Sequence, residues 1–522
     1  MTIGTGISRI TGFIRTAALA SILGMTALAT REMADSFNLA NITPNIVYDL
    51  ILGGILSSLF IPVFVEYLST KNEEEAWYVA NSVFNITLVI LFLVSLALCF
   101  AAPYAIKAQT FLTHGVRARM ERNATLLLRF FIWEVLFYGF CAIYTGVLNS
   151  YKHFAIPAFA PIANNIVVIA TLFVYRYYQS IYVLAIGATL GVVAMAIVQY
   201  PWVRRTGFRY RPVFDLKHPA VRKIGRLAVP VVAYVFINQL GLWGVNILAT
   251  QVRGGISAFQ YGYIFFQLPY GIVAVSIITA LFPTLSEQSV KEERESLTRS
   301  ISLGMRTTAF VIIPSSVGYC ILSKPIVRLL LERLNFKAQD THMLSVTLFY
   351  FAVGLFFFSA FMLVLKVFYS MQDTKTPMVV AGVIITLNII LDFAYFYAFK
   401  SDVMKVAGLA LGNTSAYVVG AACVWEVLRR RLGSLDGRRI ALSLAKTCLA
   451  SATMGIAVYA TAKISKLIIA ESALSGQILE VCLSIIVGAI VFLGLSVLLR
   501  SEEITALKRL TSKFFSKRQA EI

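Results

Sequence analysis

Two arginines, Arg9 and Arg15, stand inside the first long apolar segment, Ile3 to Leu28. A cation at membrane depth is costly unless it faces water or a protein-lined cavity, so the pair reads as chemistry. Guanidinium forks match phosphate oxygens, which makes a phosphate-bearing, membrane-borne guest their natural counterpart. Six residues apart, the two point about 120° from each other on a helix of 3.6 residues per turn. They therefore line two sides of a wedge rather than one stripe. The plainer alternative is snorkelling to the head groups, which suits Arg9 better than the deeper Arg15.

Further polar residues lie in apolar surroundings. Asp35 and Asp49 are about four turns apart, on nearly one face of an unbroken helix, but Pro44 between them predicts a kink. Asn388 and Asp392, at i and i+4, share one face of a later helix. An intramembrane carboxylate beside an amide oxygen suits Na⁺ or a proton, because hard cations prefer oxygen ligands. Asn246 and Thr414 are the companions expected from neighbouring helices, and an interhelical hydrogen bond serving packing is the open alternative for the set. Glu134 and Lys366 are embedded charges that read as structural partners or snorkelling groups. Asp373 and Lys375, just before Pro377, read either as a helix-start cap or as an inner-gate contact.

The elements that position these groups are membrane helices. Of 522 residues, 58% are hydrophobic and 14% charged, and the mean hydropathy is +0.77; a soluble chain carries nearer a quarter charged residues. Apolar stretches of about twenty residues recur throughout, without the alternation of a membrane barrel. The expectation is an all-α polytopic membrane protein with about fourteen spans. The net charge of +20 sits in short connections, where the positive-inside rule explains it without nucleic acid. Lys and Arg accumulate at Arg204–Arg226, Lys291–Arg299, Arg429–Arg439 and Lys508–Arg518, which places both termini in the cytoplasm. Lys107–Arg122 runs against that bias. Six cysteines occur singly with no CxxC pair, no histidine pair has ligand spacing, and no GxxxxGK[ST] loop is present, so metal-thiolate chemistry and direct ATP hydrolysis are not expected.

An internal repeat organises the chain. Ser150-Tyr151-Lys152-His153 leads to Pro157, and Ser370-Met371-Gln372-Asp373 leads to Pro377, an offset of 220 residues. Leu59-Phe60-Ile61-Pro62 precedes Glu66, and Ala280-Leu281-Phe282-Pro283 precedes Glu287, an offset of 221. Six spans separate the copies, so both halves have the same orientation, a transporter signature. The expected organisation is an N-terminal lobe over 1–203 and a basic linker over 204–223 with room for a short surface helix. A C-terminal lobe follows over 224–430, then two extra helices and a basic tail over 431–522.

Several motifs match a known family. Ser8-Arg9-Ile10-Thr11-Gly12-Phe13-Ile14-Arg15 resembles the opening of the MurJ (MviN) lipid II flippases. Ala34-Asp35-Ser36-Phe37, Pro44-Asn45 and Phe60-Ile61-Pro62-Val63-Phe64 are similar to that family's second helix. Ile156 to Pro161 and Tyr369 to Pro377 resemble two more of its signatures. The resemblance implies the multidrug/oligosaccharidyl-lipid/polysaccharide exporter fold, with two lobes around a cavity and an outer groove made by the last two helices. It implies a substrate, the undecaprenyl-diphosphate-linked disaccharide-pentapeptide of peptidoglycan synthesis, and hence a role in cell-wall biogenesis and cell shape. It makes Arg9, Arg15, Asp35, Asn45 and Ser257 substrate-site positions, with Asp35 available to pair with Arg15 or to act in gating unless it is a solvated helix-start acid. Asp49, placed by its depth alone, reads equally as a substrate-cavity residue or a structural partner. It also offers a cation site near Asn388 and Asp392. The chain departs from the family where many members are basic: Tyr48-Asp49 follows the Pro-Asn pair, and Ile264 replaces an arginine of the eighth span.

The expected activity is alternating-access transport in the bacterial inner membrane, without covalent chemistry or a bound cofactor. Coupling to Na⁺, H⁺ or the membrane potential is expected, as is association with other cell-wall synthesis proteins. The alternatives are export of another polyprenyl-linked oligosaccharide, drug/cation antiport, a non-transporting scaffold, and a polyprenyl glycosyltransferase. Arg9 and Arg15 disfavour antiport of cationic drugs, and the short loops disfavour the last two.

Overall fold

The computed structural model describes residues 2–25, 31–48, 60–70, 73–112, 118–151, 153–373, 375–433, 435–468 and 474–504. The described residues are helical, with no strand. By internal contacts the chain divides into two compact units, Met1–Ser257 with Arg333–Asp340, and Ala258–Glu332 with Thr341–Ile522. Among the described residues, eleven helices are long and apolar enough to span a membrane. Those expected over 5–28, 37–67 and 224–250 fall outside that set, so the count of fourteen stays an expectation.

The first unit contains α1 (Thr2–Leu23), α2 (Arg31–Tyr48), α3 (Ile61–Thr70), α4 (Glu73–Thr110), α5 (Ala118–Phe131), α6 (Glu134–Ser150), α7 (Ala155–Tyr178), α8 (Ile181–Arg205) and α9 (Pro219–Ala249). Contacts of α9 with α4, and the bond from Thr250 Oγ1 to the Gln109 carbonyl (3.5 Å), group α9 with this unit by packing; the lobe boundary expected at 224 follows the repeat and is a separate division. The segment 333–340 belongs here because it closes on the end of α1: Asn335 N donates to Ser21 O (3.0 Å) and its side chain to Ile22 O (2.7 Å). Gly24, at φ +66°, permits this approach; a Cβ there would lie 2.5 Å from the Asn335 carbonyl oxygen.

The basic linker contains no helix between Phe208 and Asp215. It is an extended strap bonded to a polar stripe on α4. Asn81 pairs with the backbone of Arg209 and Arg211, Asn85 donates to Arg211 O and Val213 O, and Ser82 exchanges bonds with the Asp215 backbone. Amide side chains at i and i+4 supply the partners that a helix would have supplied internally, and this overrides the surface-helix expectation.

The second unit contains α10 (Gly255–Pro269) from Ala258 onward, a π-helical turn at Tyr270–Ala274, α11 (Val275–Val290), α12 (Arg294–Leu331), α13 (Ala338–Ser370) from Thr341 onward, α14 (Lys375–Ala398), α15 (Asp402–Leu432), α16 (Gly437–Ile468) and α17 (Leu474–Leu498). The repeat is visible in the helix boundaries. The ends of α6 and α13, the starts of α7 and α14, and the ends of α7 and α14 are each 220 residues apart.

The last two helices pack on α12 through a small core in which Phe310 meets Phe492 at 5.0 Å between ring centroids. Ion pairs fasten both ends. Arg328 Nη2 reaches Glu480 at 2.6 Å, with both side chains largely buried. At the other end Arg306 meets Glu502 (2.9 Å) and Glu503 (3.2 Å), while Ser443 donates to Glu503 (2.8 Å). Breaking a buried pair by removing one partner costs about 3–5 kcal/mol, because the remaining charge keeps its desolvation penalty. Glu480→Ala should therefore lower the thermal midpoint of the detergent-solubilised protein clearly more than Glu287→Ala, which removes an exposed i,i+4 pair. Equal midpoints would contradict this.

Candidate substrate and cation sites

Arg15 sits one turn beyond a clamp between α1 and α7. Asn165 on α7 donates to Thr11 Oγ1 (3.0 Å) and Ser8 O (3.4 Å). These bonds fix the rotation of α1, leaving Arg9 exposed and Arg15 half-buried. The carboxylate facing Arg15 is Glu134, itself hydrogen-bonded to Tyr138 one turn along α6. Tyr48 lies against Tyr138, with ring centroids 4.4 Å apart. Arg15 Nε and Glu134 Oε1 are buried and have no hydrogen-bond partner among the described residues. The guanidinium is thus held by charge but not saturated.

A break in the spanning helix places Glu134. At Ile132–Trp133 the regular ladder gives way to short bonds, Trp133 N to Phe130 O and Val135 N to Ile132 O. Ser95 Oγ satisfies the Ile132 carbonyl at 3.1 Å. Glu134 therefore opens a new helix, where the dipole favours an acid.

Asp35 is directed elsewhere. Its carboxylate accepts from Gly254 N (2.8 Å), Ser257 N (3.3 Å) and Ser257 Oγ (2.8 Å), capping the first turn of α10. Asn38 completes the cluster by donating to Ser257 Oγ at 2.9 Å. Two expected substrate-site residues, Asp35 and Ser257, are thus together and buried, and bonded to each other. Asn45 is exposed on α2, and Ile264 is half-buried on α10. Asp49 lies outside the described residues.

In the second unit Asp392 is 1% exposed, and no donor among the described residues reaches either carboxylate oxygen. Asn388 lies beside it, short of hydrogen-bond geometry, with a buried Nδ2 equally without a partner there. Gly412 on α15 faces the carboxylate so closely that a Cβ would sit 2.1 Å from Oδ1. Thr414 Oγ1 donates to Tyr350 O at 2.7 Å and lies against Gly354 on α13. Two positions from Gly412, it is about 200° round α15 from the face that meets Asp392, so this expected companion is turned away from the carboxylate. Gly412 lets α15 lie directly against this carboxylate, and a proton or a small cation would supply the partner that its two oxygens lack among the described residues. Asn246, the fourth residue expected there, belongs to the first unit; its Nδ2 bonds Leu242 O (2.7 Å) and its buried Oδ1 has no partner among the described residues. Lys366 stands near the rings of Tyr369 (5.5 Å) and Phe282 (5.9 Å).

Asp373 caps α14, accepting from Lys375 N and Thr376 N (both 3.0 Å) and Thr376 Oγ1 (2.6 Å), and it pairs with Arg431. Lys375 contributes its backbone N–H, and its side chain is exposed. Burial pushes the Asp373 carboxyl up, but the Thr376 hydrogen bonds and the Arg431 guanidinium outweigh it and hold it at about 2. A carboxyl depressed on folding stabilises fully above its ordinary value of 3.8 and loses that contribution as pH falls through about 2. Arg431→Gln should raise the Asp373 titration midpoint, read by ¹³C NMR of the carboxyl; an unmoved midpoint would remove Arg431 from this account.

The family profile for "Lipid II flippase MurJ" matches residues 19–475. The chain belongs to the MurJ lipid II flippase family. It is 28% identical over 436 residues to a probable lipid II flippase MurJ of Rhizobium meliloti (strain 1021), covering 80% of this chain and 78% of that protein. A counterpart from Vibrio cholerae is 27% identical over 461 residues, 86% of each chain. Among solved structures, one described as "Lipid II flippase MurJ, inward closed conformation" superposes with a TM-score of 0.78 at 24% identity, covering 95% of this chain and 98% of the other. An inward-facing multidrug MATE transporter of the MOP superfamily superposes at 0.69 with 12% identity, covering 82% and 96%. These likenesses fix the exporter fold and a multi-pass membrane protein.

Proposed function

We propose that this chain carries lipid II from the inner to the outer leaflet of the bacterial cytoplasmic membrane by alternating access, with both termini in the cytoplasm and no covalent step. Family membership supports the cargo, and the observation that carries the reading is Arg15: a half-buried guanidinium with an unsaturated Nε, restrained by Glu134. A diphosphate offers the hydrogen-bond acceptors this group lacks, and charge-assisted forks to phosphate are strong and directional. Arg9, exposed one to two turns earlier on α1, receives the head group as it leaves the lipid surface. Asp392, with Asn388 beside it, holds a proton or Na⁺ when one is bound, and its binding neutralises a buried carboxylate. The Asp35–Ser257 cluster and the Asp373–Arg431 cap are contacts that a conformational cycle can make and break.

The test is reconstitution of the full chain in proteoliposomes with fluorescent lipid II, scoring the head group that becomes accessible on the far side. Time-dependent transfer above protein-free vesicles is expected. Transfer of another polyprenyl-linked glycan with none of lipid II would overturn the cargo assignment.

A further inference from the structure

The connection that defies the positive-inside bias points to a second phosphate site. At the end of α4 remote from Glu73, and so on the face opposite the linker strap, lies a cleft of about 630 Å³. Lys107, Arg122 and Arg129 line it, together with Glu121, Phe130 and Tyr182. On α5, Ala118, Arg122, Thr125 and Arg129 recur at i, i+4, i+7 and i+11, so the cations form one stripe. Arg129 is about 16 Å into the helix at 1.5 Å per residue, yet exposed. The one acid in the cleft is engaged elsewhere: Thr110 Oγ1 donates to Glu121 at 2.8 Å. Neither Lys107 nor Arg129 has an acidic partner among the described residues, and Arg122 bonds only the Ala118 carbonyl there (3.4 Å). Three cations on a lipid-accessible face carry an unfavourable solvation term unless an anion completes them.

The walls indicate where that anion comes from. Phe130 and Tyr182 meet edge to face at 6.1 Å. Tyr104, Tyr177 and Tyr178 are exposed at the same ends of α4 and α7. Exposed tyrosines at helix ends mark the water–lipid boundary, the depth of phosphate head groups. Pro103, Ile106 and Leu126 give the cleft an apolar floor that suits the upper acyl chain.

We propose that this cleft binds an anionic phospholipid, with the phosphate on Arg122, Arg129 and Lys107 and the chains descending along α4 and α5. The site is separate from the transport site around Arg15. The test uses the full chain in neutral detergent, with native mass spectrometry of phosphatidylglycerol against phosphatidylcholine. Wild type should retain phosphatidylglycerol at least about tenfold more than Arg122→Gln/Arg129→Gln, while the charge-matched control Arg209→Gln/Arg438→Gln should match wild type. Arg122→Lys/Arg129→Lys, which keeps the charge, should retain part of the binding, and thermal melting checks that each variant is folded. Equal retention by the glutamine double variant, or no preference over phosphatidylcholine, would overturn the proposal. Displacement of the lipid by inorganic phosphate at matched concentration would overturn the lipid assignment in favour of a free-anion site.

Discussion

Arg15→Ala should slow lipid II translocation in proteoliposomes by about ten- to a hundredfold. A hydrogen bond to a charged group is worth about 1.5–3 kcal/mol, and each 1.4 kcal/mol is a factor of ten. Arg15 has an unsaturated Nε and one nearby carboxylate, so its remaining hydrogen-bonding capacity is available to cargo. Arg15→Lys should be intermediate, because an ammonium keeps the charge but not the fork. Arg9→Ala should cost less, since the exposed residue competes with water for the same phosphate. Alanine at position 15 also leaves Glu134 without its counter-charge, so melting curves must accompany the rates. Wild-type translocation by folded Arg15→Ala would remove this residue from the mechanism.

Asp392→Asn should abolish the response of translocation to imposed Na⁺ and proton gradients. Couplings between sites are typically about 1–3 kcal/mol, so gradient-driven rates should fall about five- to a hundredfold, to the level seen without a gradient. Asparagine keeps the shape and removes the charge, so the fold around α14 and α15 should persist. Gly412→Ala offers an independent approach: the added methyl competes for the space of Asp392 Oδ1 and should weaken the same response without altering any polar group. A full gradient response in Asp392→Asn would place coupling elsewhere.

The sequence revealed some of this directly and some not at all. Fold class and repeat were legible because each is local: hydropathy marks spans, and Ser150 and Ser370 sit at corresponding helix ends. The proximity of Asn388 to Asp392 followed from helical periodicity. The partner of Arg15 was not legible. Asp35 was the nearer acid in sequence, but the backbone amides at the start of α10, which have no partner within that helix, capture it, and a helix break carries Glu134 to Arg15 instead. Both outcomes depend on contacts between distant segments, which periodicity does not encode. The linker was misread for a related reason. Its composition allows a helix, and the ladder of Asn81, Ser82 and Asn85 has meaning only with the extended strap over 208–215 lying against it.

The fastening of α16 and α17 has a consequence for truncation. Arg306 faces Glu503 and Arg328 faces Glu480, so deleting the hairpin would strip buried guanidinium groups of their carboxylates at both ends of α12. The hairpin is therefore a structural part of the second unit, and a chain cut short before it should lose the order of α12 rather than merely shed an appendage.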